Sequence, residues 1–285
     1  MERIKIAVQK SGRLLDGSLD ILKECGIKVP KAQGQLKASV ENFPLDLLFL
    51  RNSDIPQYVE DGVADIAIIG ENILVEQEPD VKTEMKLGFS KCKVSLAAPK
   101  NSNINSVKDF QGKKIATSYP VTLKKYLKQQ NIEAEIHTIS GSVEIAPTIG
   151  LAEGICDIVS TGNTLFMNGL REVDVMLRSE AVLISNSELS DEKRAVLNKL
   201  IFRIQSVLSA KNSKYVLLNA PESQLGEITD ILPGIKSPTV IPLAQEGWIS
   251  IHSVINEEKF WENIDALKDA GAEGILIVPI EKMVK

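Results

Sequence analysis

Gly62-Val-Ala-Asp-Ile-Ala-Ile-Ile-Gly70 and Gly154-Ile-Cys-Asp-Ile-Val-Ser-Thr-Gly162 share glycine, aspartate, isoleucine and glycine at the same spacing. Each stretch contains an apolar run that is typical of a buried strand and is followed by glycine. Upstream of each stretch, a similar sequence begins a short strand that is followed by a loop and a helix: Lys5-Ile-Ala-Val in the first case and Lys114-Ile-Ala-Thr in the second. A repeat of this length indicates two lobes of similar plan.

Strands and helices alternate within both lobes. In the first, a strand near residues 3–8 precedes an amphipathic helix from Leu14 to Cys25. In the second, the strand Lys114–Thr117 precedes a helix from Val121 to Gln130, and a further helix is predicted near Ser142. This alternation predicts an α/β fold with a largely parallel sheet in each lobe. Ligands of such sheets bind beyond the carboxyl ends of the strands, so we expect the site in the cleft between the lobes.

The order of elements changes from Lys214 onward. The pattern there predicts strand, helix, two strands, helix and strand, which is the βαββαβ order of a ferredoxin-like domain. The predicted limits are 1–91 and 173–211 for lobe I, 92–172 for lobe II and 212–285 for the C-terminal domain.

Composition excludes several classes of protein. The chain has 285 residues, 44% of them hydrophobic, and a formal net charge of −5, so it lacks the basic surplus of a broad nucleic-acid binder. No apolar run approaches the roughly 20 residues that cross a bilayer. The first residues predict a strand rather than a signal peptide, and we expect a cytoplasmic protein. The three cysteines form no Cys-x-x-Cys pair, so neither a disulfide framework nor a zinc site is predicted. For the two histidines, His137 and His252, a structural role is favoured over a catalytic one.

The segment 157–165 has the form of a phosphate cradle, since an apolar strand breaks there into a loop of hydroxyls and glycine. Gly162 lets the backbone approach an anion closely. Backbone N–H groups and three hydroxyls can donate hydrogen bonds to phosphate oxygens: those of Ser160, Thr161 and Thr164. Asp157 is placed to accept hydrogen bonds from sugar hydroxyls. The alternative is an ordinary turn after a strand.

Six short motifs follow one another along the chain: Gln9-Lys-Ser-Gly-Arg-Leu14, Ile68-Ile-Gly-Glu-Asn72, Ala116-Thr-Ser-Tyr-Pro120, Gly141-Ser-Val-Glu144, Asp157-Ile-Val-Ser-Thr-Gly-Asn-Thr-Leu165 and Asn168-Gly-Leu-Arg171. In this order they resemble the successive motifs of the ATP phosphoribosyltransferase family, and the resemblance covers essentially the whole chain. The C-terminal module, which ends in Val278-Pro-Ile-Glu-Lys-Met283, resembles the regulatory domain of the long form of that family. The resemblance implies a two-lobed, periplasmic-binding-protein-like catalytic core followed by a ferredoxin-like regulatory domain.

The family resemblance implies the first step of histidine biosynthesis. In that reaction the adenine N1 of ATP attacks the anomeric carbon of phosphoribosyl pyrophosphate and pyrophosphate leaves. The displacement needs two polyanionic substrates held in line, and positioning alone can contribute about 7 to 11 kcal/mol. It requires no histidine or cysteine nucleophile, and no catalytic side chain is assigned from the sequence.

The resemblance also implies roles for particular residues. The phosphoribosyl pyrophosphate site would consist of Asp157, Ser160, Thr161, Gly162, Asn163, Thr164 and Leu165, together with Glu144. Glu144 would position ribose or magnesium, or else would cap the first turn of a helix after Ser142. The ATP side would consist of Lys10, Ser11, Gly12, Arg13, Glu71, Ser118 and Tyr119. For Lys10 and Arg13 the alternative is a helix-opening loop with solvated bases.

Magnesium is the expected cofactor, because it neutralises pyrophosphate and binds through substrate phosphates plus one or two carboxylates. A dedicated all-protein metal site is therefore not predicted. The family implies histidine as a feedback inhibitor bound by the C-terminal domain, and a homo-oligomer in which dimers build a hexamer. We place Ser237-Pro-Thr-Val-Ile-Pro-Leu243 in the histidine pocket, with Thr239 as a polar contact. An ordinary strand of the sheet is the alternative for this segment.

A different class of function shares the two-lobed plan. A small-molecule binding or sensor protein without catalysis would also place a ligand between duplicated lobes. The enzyme is favoured by its two provisions for anions, which are Lys10 and Arg13 on one lobe and the hydroxyl loop on the other.

Overall fold

The computed structural model describes residues 2–30, 34–160, 162–232 and 234–284. The chain divides into two compact units, one comprising Met1–Lys23 and Ile27–Leu197 and the other Glu24–Gly26 and Asn198–Lys285. Up to the helix that leaves the first unit, the elements in chain order are β1 (Ile4–Gln9), α1 (Arg13–Glu24), β2 (Lys37–Ser39), β3 (Leu45–Leu50), α2 (Ile55–Glu60), β4 (Ile66–Gly70), α3 (Glu71–Gln77), β5 (Val81–Lys86), β6 (Cys92–Pro99), β7 (Lys114–Thr117), α4 (Pro120–Gln130), β8 (Glu135–Thr138), β9 (Gly154–Val159), α5 (Asn163–Met167), β10 (Leu170–Ser179), β11 (Ala181–Asn186) and α6 (Asp191–Lys211). The remaining elements are β12 (Ser213–Pro221), α7 (Leu225–Ile231), β13 (Thr239–Pro242), β14 (Trp248–Asn256), α8 (Glu257–Asp269) and β15 (Glu273–Pro279).

The first unit contains two sheets of the same plan. Sheet A has the order β2-β3-β1-β4-β11-β5 and sheet B the order β10-β6-β9-β7-β8. We call sheet A with its helices lobe I and sheet B with its helices lobe II. In each, a parallel trio is followed by antiparallel strands: β3-β1-β4 in lobe I and β8-β7-β9 in lobe II. Strand β4 is central and its Ile66-Ala-Ile-Ile run is fully buried, as its continuous apolar sequence predicts.

Neither sheet is largely parallel, so this prediction from the sequence is wrong. Strands β11 and β5 of sheet A, and β6 and β10 of sheet B, all pair antiparallel to their neighbours. The reason lies in the connections. Strand β5 follows β4 through α3 and β10 follows β9 through α5, so each runs parallel to the strand before it. Strands β11 and β6, which the chain enters from the other sheet, lie between these pairs and run antiparallel to both neighbours.

The repeated Gly-x-x-Asp stretches do not occupy equivalent places. Ile6 of β1 lies opposite Ile66 in β4, whereas Ile115 of β7 lies opposite Gly154 in β9. Asp65 therefore precedes its strand, where it accepts a hydrogen bond from the Lys5 backbone (2.7 Å). Asp157, in contrast, lies within β9 close to its carboxyl end.

Two further predictions for the first unit need correction. Strand β10 pairs with β6 up to Ser179, so the chain returns to sheet A at Glu180 rather than at residue 173. Near Ser142 the chain forms only a 3-10 turn, Val143–Ile145, instead of an α-helix. Ser142 has a left-handed backbone (φ 50°), and Pro147 follows at once, which disfavours continuation of a helix.

The second unit has the ferredoxin-like order that the sequence predicts. Its antiparallel sheet has the order β13-β14-β12-β15, and its core contains Val216, Leu218, Ile249, Ile251 and Phe260. Among the described residues of either unit, no helix is long and apolar enough to span a membrane.

Candidate functional site

Most of the predicted substrate-site residues lie at the carboxyl ends of four strands, which form one parallel pair in each lobe. In lobe I, β1 ends at Gln9 and its neighbour β4 ends at Gly70; in lobe II, β7 ends at Thr117 and its neighbour β9 ends at Val159. The two edges lie side by side, because Asn72 after β4 donates from Nδ2 to the hydroxyl of Tyr119 after β7 (3.1 Å). The strand ends of both lobes thus border one cleft.

The loop after β9 forms a small pocket of about 50 Å³. Its lining residues are Glu144, Asp157, Ile158, Val159, Ser160, Gly162, Thr164 and Leu165. Gly162 has φ 80°, a conformation that favours glycine, and directly precedes α5, where Asn163 is the first residue. The side chains of Ser160 and Thr164 are exposed and have no hydrogen-bond partner among the described residues, so both can donate to an anion. Thr161 lies outside the described residues.

Two carboxylates share this pocket. Oδ1 of Asp157 accepts hydrogen bonds from the Ile158 backbone (2.8 Å) and from Oγ of Ser118 (3.4 Å). Burial raises the pKa of Asp157 above its usual range, and the nearby charge of Glu144 raises it further. The described pocket lining contains no basic side chain. Sugar hydroxyls or a bound cation would therefore stabilise the ionised pair.

Glu144 and Asp157 are the two carboxylates of this pocket that could bind magnesium. They supply hard oxygen donors, and Mg²⁺ in nucleotide enzymes takes one or two carboxylates with the rest of its shell from phosphates and water. Over the described part of the chain, no cluster of three or more histidine, cysteine or acidic residues could hold a metal ion by itself.

The loop after β1 presents two cations to solvent. The Lys10 backbone donates to the Leu50 carbonyl (2.8 Å), and Gly12, at φ 89°, accepts from Asp16 as α1 begins (3.2 Å). Lys10, Ser11, Gly12 and Arg13 are all exposed. Neither Lys10 nor Arg13 forms an ion pair or side-chain hydrogen bond with any residue that the structure describes. Lys10 also borders a second pocket, of about 380 Å³, lined by Leu15, Leu19, Pro30, Gly34, Gln35, Leu36 and Phe49.

The other predicted ATP-side residues differ in their availability. Glu71 is the first residue of α3, and its carboxylate pairs with Nζ of Lys86 (3.0 Å). It does not line the Asp157 pocket. Tyr119 is buried, and burial raises the pKa of its hydroxyl to about 12, so the phenol stays neutral at physiological pH. Ser118 is half-buried and reaches Asp157 directly.

Sequence reasoning missed two residues that border the cleft, Asn72 and Glu76. Both lie on α3, four positions apart and therefore on one helix face. Glu76 accepts hydrogen bonds from the first turn of α4 in lobe II. The sequence shows an amide and a carboxylate four residues apart just after Gly70, and on a helix these would share one face. The helix α3 itself was not predicted, so this pattern was not used.

The predicted histidine segment is an edge strand. Thr239 begins β13, is exposed, and lies opposite His252 of β14. Nδ1 of His252 lies 2.9 Å from the Tyr215 hydroxyl and Nε2 lies 3.1 Å from Oγ of Ser250. The segment is a strand of the sheet, as the alternative interpretation states. The role of Thr239 in binding a ligand stays a prediction.

Known proteins resemble the chain in both of its units. The family model described as ATP phosphoribosyltransferase matches residues 51–206, and that described as HisG, C-terminal domain, matches residues 210–282. The chain is 54% identical to the ATP phosphoribosyltransferase of Cytophaga hutchinsonii and 53% identical to that of Bacteroides thetaiotaomicron, in each case over 99% of both chains.

Solved structures support the two-lobed fold. A chain of the ATP phosphoribosyl transferase (HisG:HisZ) complex from Thermotoga maritima matches with a TM-score of 0.61 and 28% identity, over 71% of this chain and 96% of that one. The putative periplasmic sulfonate-binding protein SsuA from Methylobacillus flagellatus matches with a TM-score of 0.50 and 14% identity, over 72% of this chain and 67% of that one. The second likeness shows the fold alone.

Proposed function

Because the chain belongs to the ATP phosphoribosyltransferase family, we propose that the cleft between its lobes carries out that family's reaction with the residues described above. The protein is a pentosyltransferase of histidine biosynthesis: it transfers the phosphoribosyl group of phosphoribosyl pyrophosphate to N1 of the adenine of ATP. The observation that carries the residue assignment is the contact between Ser118 and Asp157. It brings the predicted base-side loop of one substrate against the predicted ribose carboxylate of the other.

On the phosphoribosyl pyrophosphate side, the loop from Ser160 to Leu165 binds the 5-phosphate through backbone N–H groups and hydroxyls. Asp157 accepts hydrogen bonds from the ribose hydroxyls. Its carboxylate also stabilises the positive character that develops on the ribose ring as the bond to pyrophosphate breaks. Glu144 and Asp157 would hold magnesium, which when bound neutralises charge on the leaving pyrophosphate.

On the ATP side, Lys10 and Arg13 bind the triphosphate, with the backbone of Ser11 and Gly12 close to it. Both side chains are exposed and form no ion pair with a described residue, so both cations are available to bind phosphate. Ser118 and Tyr119 line the base. Glu71 is the weakest member of this set, because Lys86 already neutralises it. In the reaction the N1 lone pair forms the new bond to the anomeric carbon, and the electron pair of the broken C–O bond leaves with pyrophosphate.

The proposal extends to regulation and assembly. The second unit binds histidine as a feedback inhibitor, and Thr239 lies in its pocket. The protein forms dimers, which assemble into a hexamer. The match of residues 210–282 to the C-terminal family model supports a distinct second domain. Because both substrates are metabolites of the cell interior, the proposed location is the cytoplasm.

One assay separates this function from a two-lobed binding protein. Purified protein is mixed with ATP, magnesium and phosphoribosyl pyrophosphate, and the ultraviolet absorbance of the modified adenine is followed. Absorbance should grow only when both substrates are present. Binding of phosphoribosyl pyrophosphate without any new absorbance would instead support the sensor alternative.

A further inference from the structure

Helix α3 of lobe I is hydrogen-bonded to the first turn of α4 in lobe II. The two carboxylate oxygens of Glu76 divide the contact between them. Oε1 accepts from the backbone of Val121 (2.9 Å), while Oε2 accepts from the backbone (2.9 Å) and the hydroxyl (2.8 Å) of Thr122. A carboxylate against the free N–H groups of a helix start is favourable both as a charge-assisted hydrogen bond and through the helix dipole.

One turn earlier on α3, Asn72 forms a second set of hydrogen bonds to lobe II. Nδ2 donates to the Tyr119 hydroxyl (3.1 Å), Oδ1 accepts from Oγ of Ser179 (2.9 Å), and the backbone of Asn72 donates to the same Oγ (3.0 Å). Asn72 is only 4% exposed, so these bonds form away from water. A Cβ on Gly70 would lie 2.4 Å from Oδ1 of Asn72, so the bare glycine makes room for the turned-back amide.

Both contacts hold the point at which the Ser118–Tyr119 loop leads into α4. Asn72 donates to the hydroxyl of Tyr119, the last residue of this loop, and the backbones of Val121 and Thr122 in α4 donate to Glu76. Glu76 also occupies the N–H groups to which a phosphate would otherwise bind at this helix start. The N–H groups of Val121 and Thr122 are therefore not free to bind the triphosphate.

We infer that Glu76 and Asn72 are positioning residues for ATP: from lobe I they fix the base-side loop of lobe II and keep the start of α4 closed to phosphate. Neither residue touches the reacting atoms. Because the holding groups and the held loop belong to different lobes, the base-side wall is complete only when the lobes are together. This inference rests on the proposed role of Ser118 and Tyr119.

The test uses the full-length protein and the Glu76→Gln variant, which loses the charge and places an amide against N–H donors. We expect KM for ATP to rise about tenfold or more, the effect of losing charge-assisted hydrogen bonds. KM for phosphoribosyl pyrophosphate should stay within about twofold. The matched control is Glu78→Gln, at the end of the same helix, which loses only an exposed ion pair to Lys125 and should leave both constants unchanged.

A milder variant guards against misfolding. Thr122→Val removes the buried hydroxyl that donates to Glu76 but keeps the backbone bonds, and should raise KM for ATP by a smaller factor. Equal rises in both Michaelis constants, or a lower melting temperature with unchanged constants, would overturn the positioning role. Failure of the unmodified protein to form product at all would count against the proposed function itself, which is a different outcome.

Discussion

The hydroxyl of Ser118 lies 3.4 Å from Oδ1 of Asp157 and donates to it, so the ends of the neighbouring strands β7 and β9 are joined at the cleft. One residue belongs to the predicted ATP side and the other to the predicted ribose side. The two half-sites are therefore in contact within lobe II, where the displacement needs both substrates in line.

Replacing Asp157 by asparagine should stabilise the protein while abolishing most of its activity. Burial raises the pKa of Asp157, so the ionised form costs folding free energy at neutral pH. The folded state retains the proton more strongly than the unfolded state, and stability contributed by this group is lost as pH rises through the folded pKa. The variant should thus melt at a higher temperature at pH 7, and the difference should vanish below the usual carboxyl range near pH 4.

The control for this experiment has the opposite sign. The hydrogen bond from Arg3 holds the pKa of Asp46 below its usual range, so Asp46→Asn should lower the melting temperature at pH 7. That loss should disappear as pH falls through the folded pKa of Asp46. A lower melting temperature for Asp157→Asn at pH 7 would contradict the buried, disfavoured carboxylate.

Thr164→Val should weaken phosphoribosyl pyrophosphate binding by about 10- to 100-fold, because a hydrogen bond to a charged group contributes about 1.5 to 3 kcal/mol. Its side chain is exposed and has no hydrogen-bond partner among the described residues, so melting should barely change. Calorimetric titration measures the affinity. Thr138→Val, at the exposed end of β8 in the same lobe, is the matched control and should bind as tightly as the unmodified protein.

Gly17→Ala should destabilise the protein although alanine is the better helix former. A Cβ at this position of α1 would lie 2.4 Å from Cδ2 of Phe89 and 3.2 Å from its Cγ, so the whole ring would have to move. Overpacking of this kind costs about 1 to 3 kcal/mol. Gly226→Ala in α7, where nothing lies within 4 Å, should instead gain about 1 kcal/mol. Thermal unfolding of both variants decides, and equal gains would refute the close contact at Phe89.

Histidine should lower the initial rate of the full-length protein without competing for the cleft, with a coupling of about 1 to 3 kcal/mol. Thr239→Val should weaken this inhibition and leave the uninhibited rate unchanged. Thr229→Val, which loses an internal hydrogen bond to the Leu225 carbonyl, controls for general loosening of the second unit. Inhibition by histidine that both variants retain in full would remove Thr239 from the pocket.

Strand β4 and helix α4 were predictable from the sequence, whereas strand β5 was not. The apolar run of β4 and the proline that opens α4 each carry a local signal, and both elements were found. Strand β5, Val81-Lys-Thr-Glu-Met-Lys86, lies at the edge of sheet A, and half of its side chains are charged. Its Glu84 is bound by Arg194 and Ser185, which are distant from it in the sequence.

The sequence likewise pointed to some residues of the candidate site and missed others. Glu144 and Asp157, which lie in separate motifs of the sequence, line one pocket. The pairing of Glu71 with Lys86 was not foreseeable, because Lys86 belongs to the unpredicted strand β5. Glu76 was missed for a related reason: its partners lie at the start of α4, on the other lobe.

The two passages between the sheets give lobe II the character of an insertion. The backbone of Leu87, just after β5, donates to the carbonyl of Ala181, at the start of β11 (2.9 Å), so the chain leaves and re-enters sheet A at neighbouring points. Everything from Gly88 to Glu180 could be exchanged for a short turn without unpairing any strand of sheet A. The segment that carries the predicted phosphate loop, about a third of the chain, is therefore one continuous insertion into lobe I.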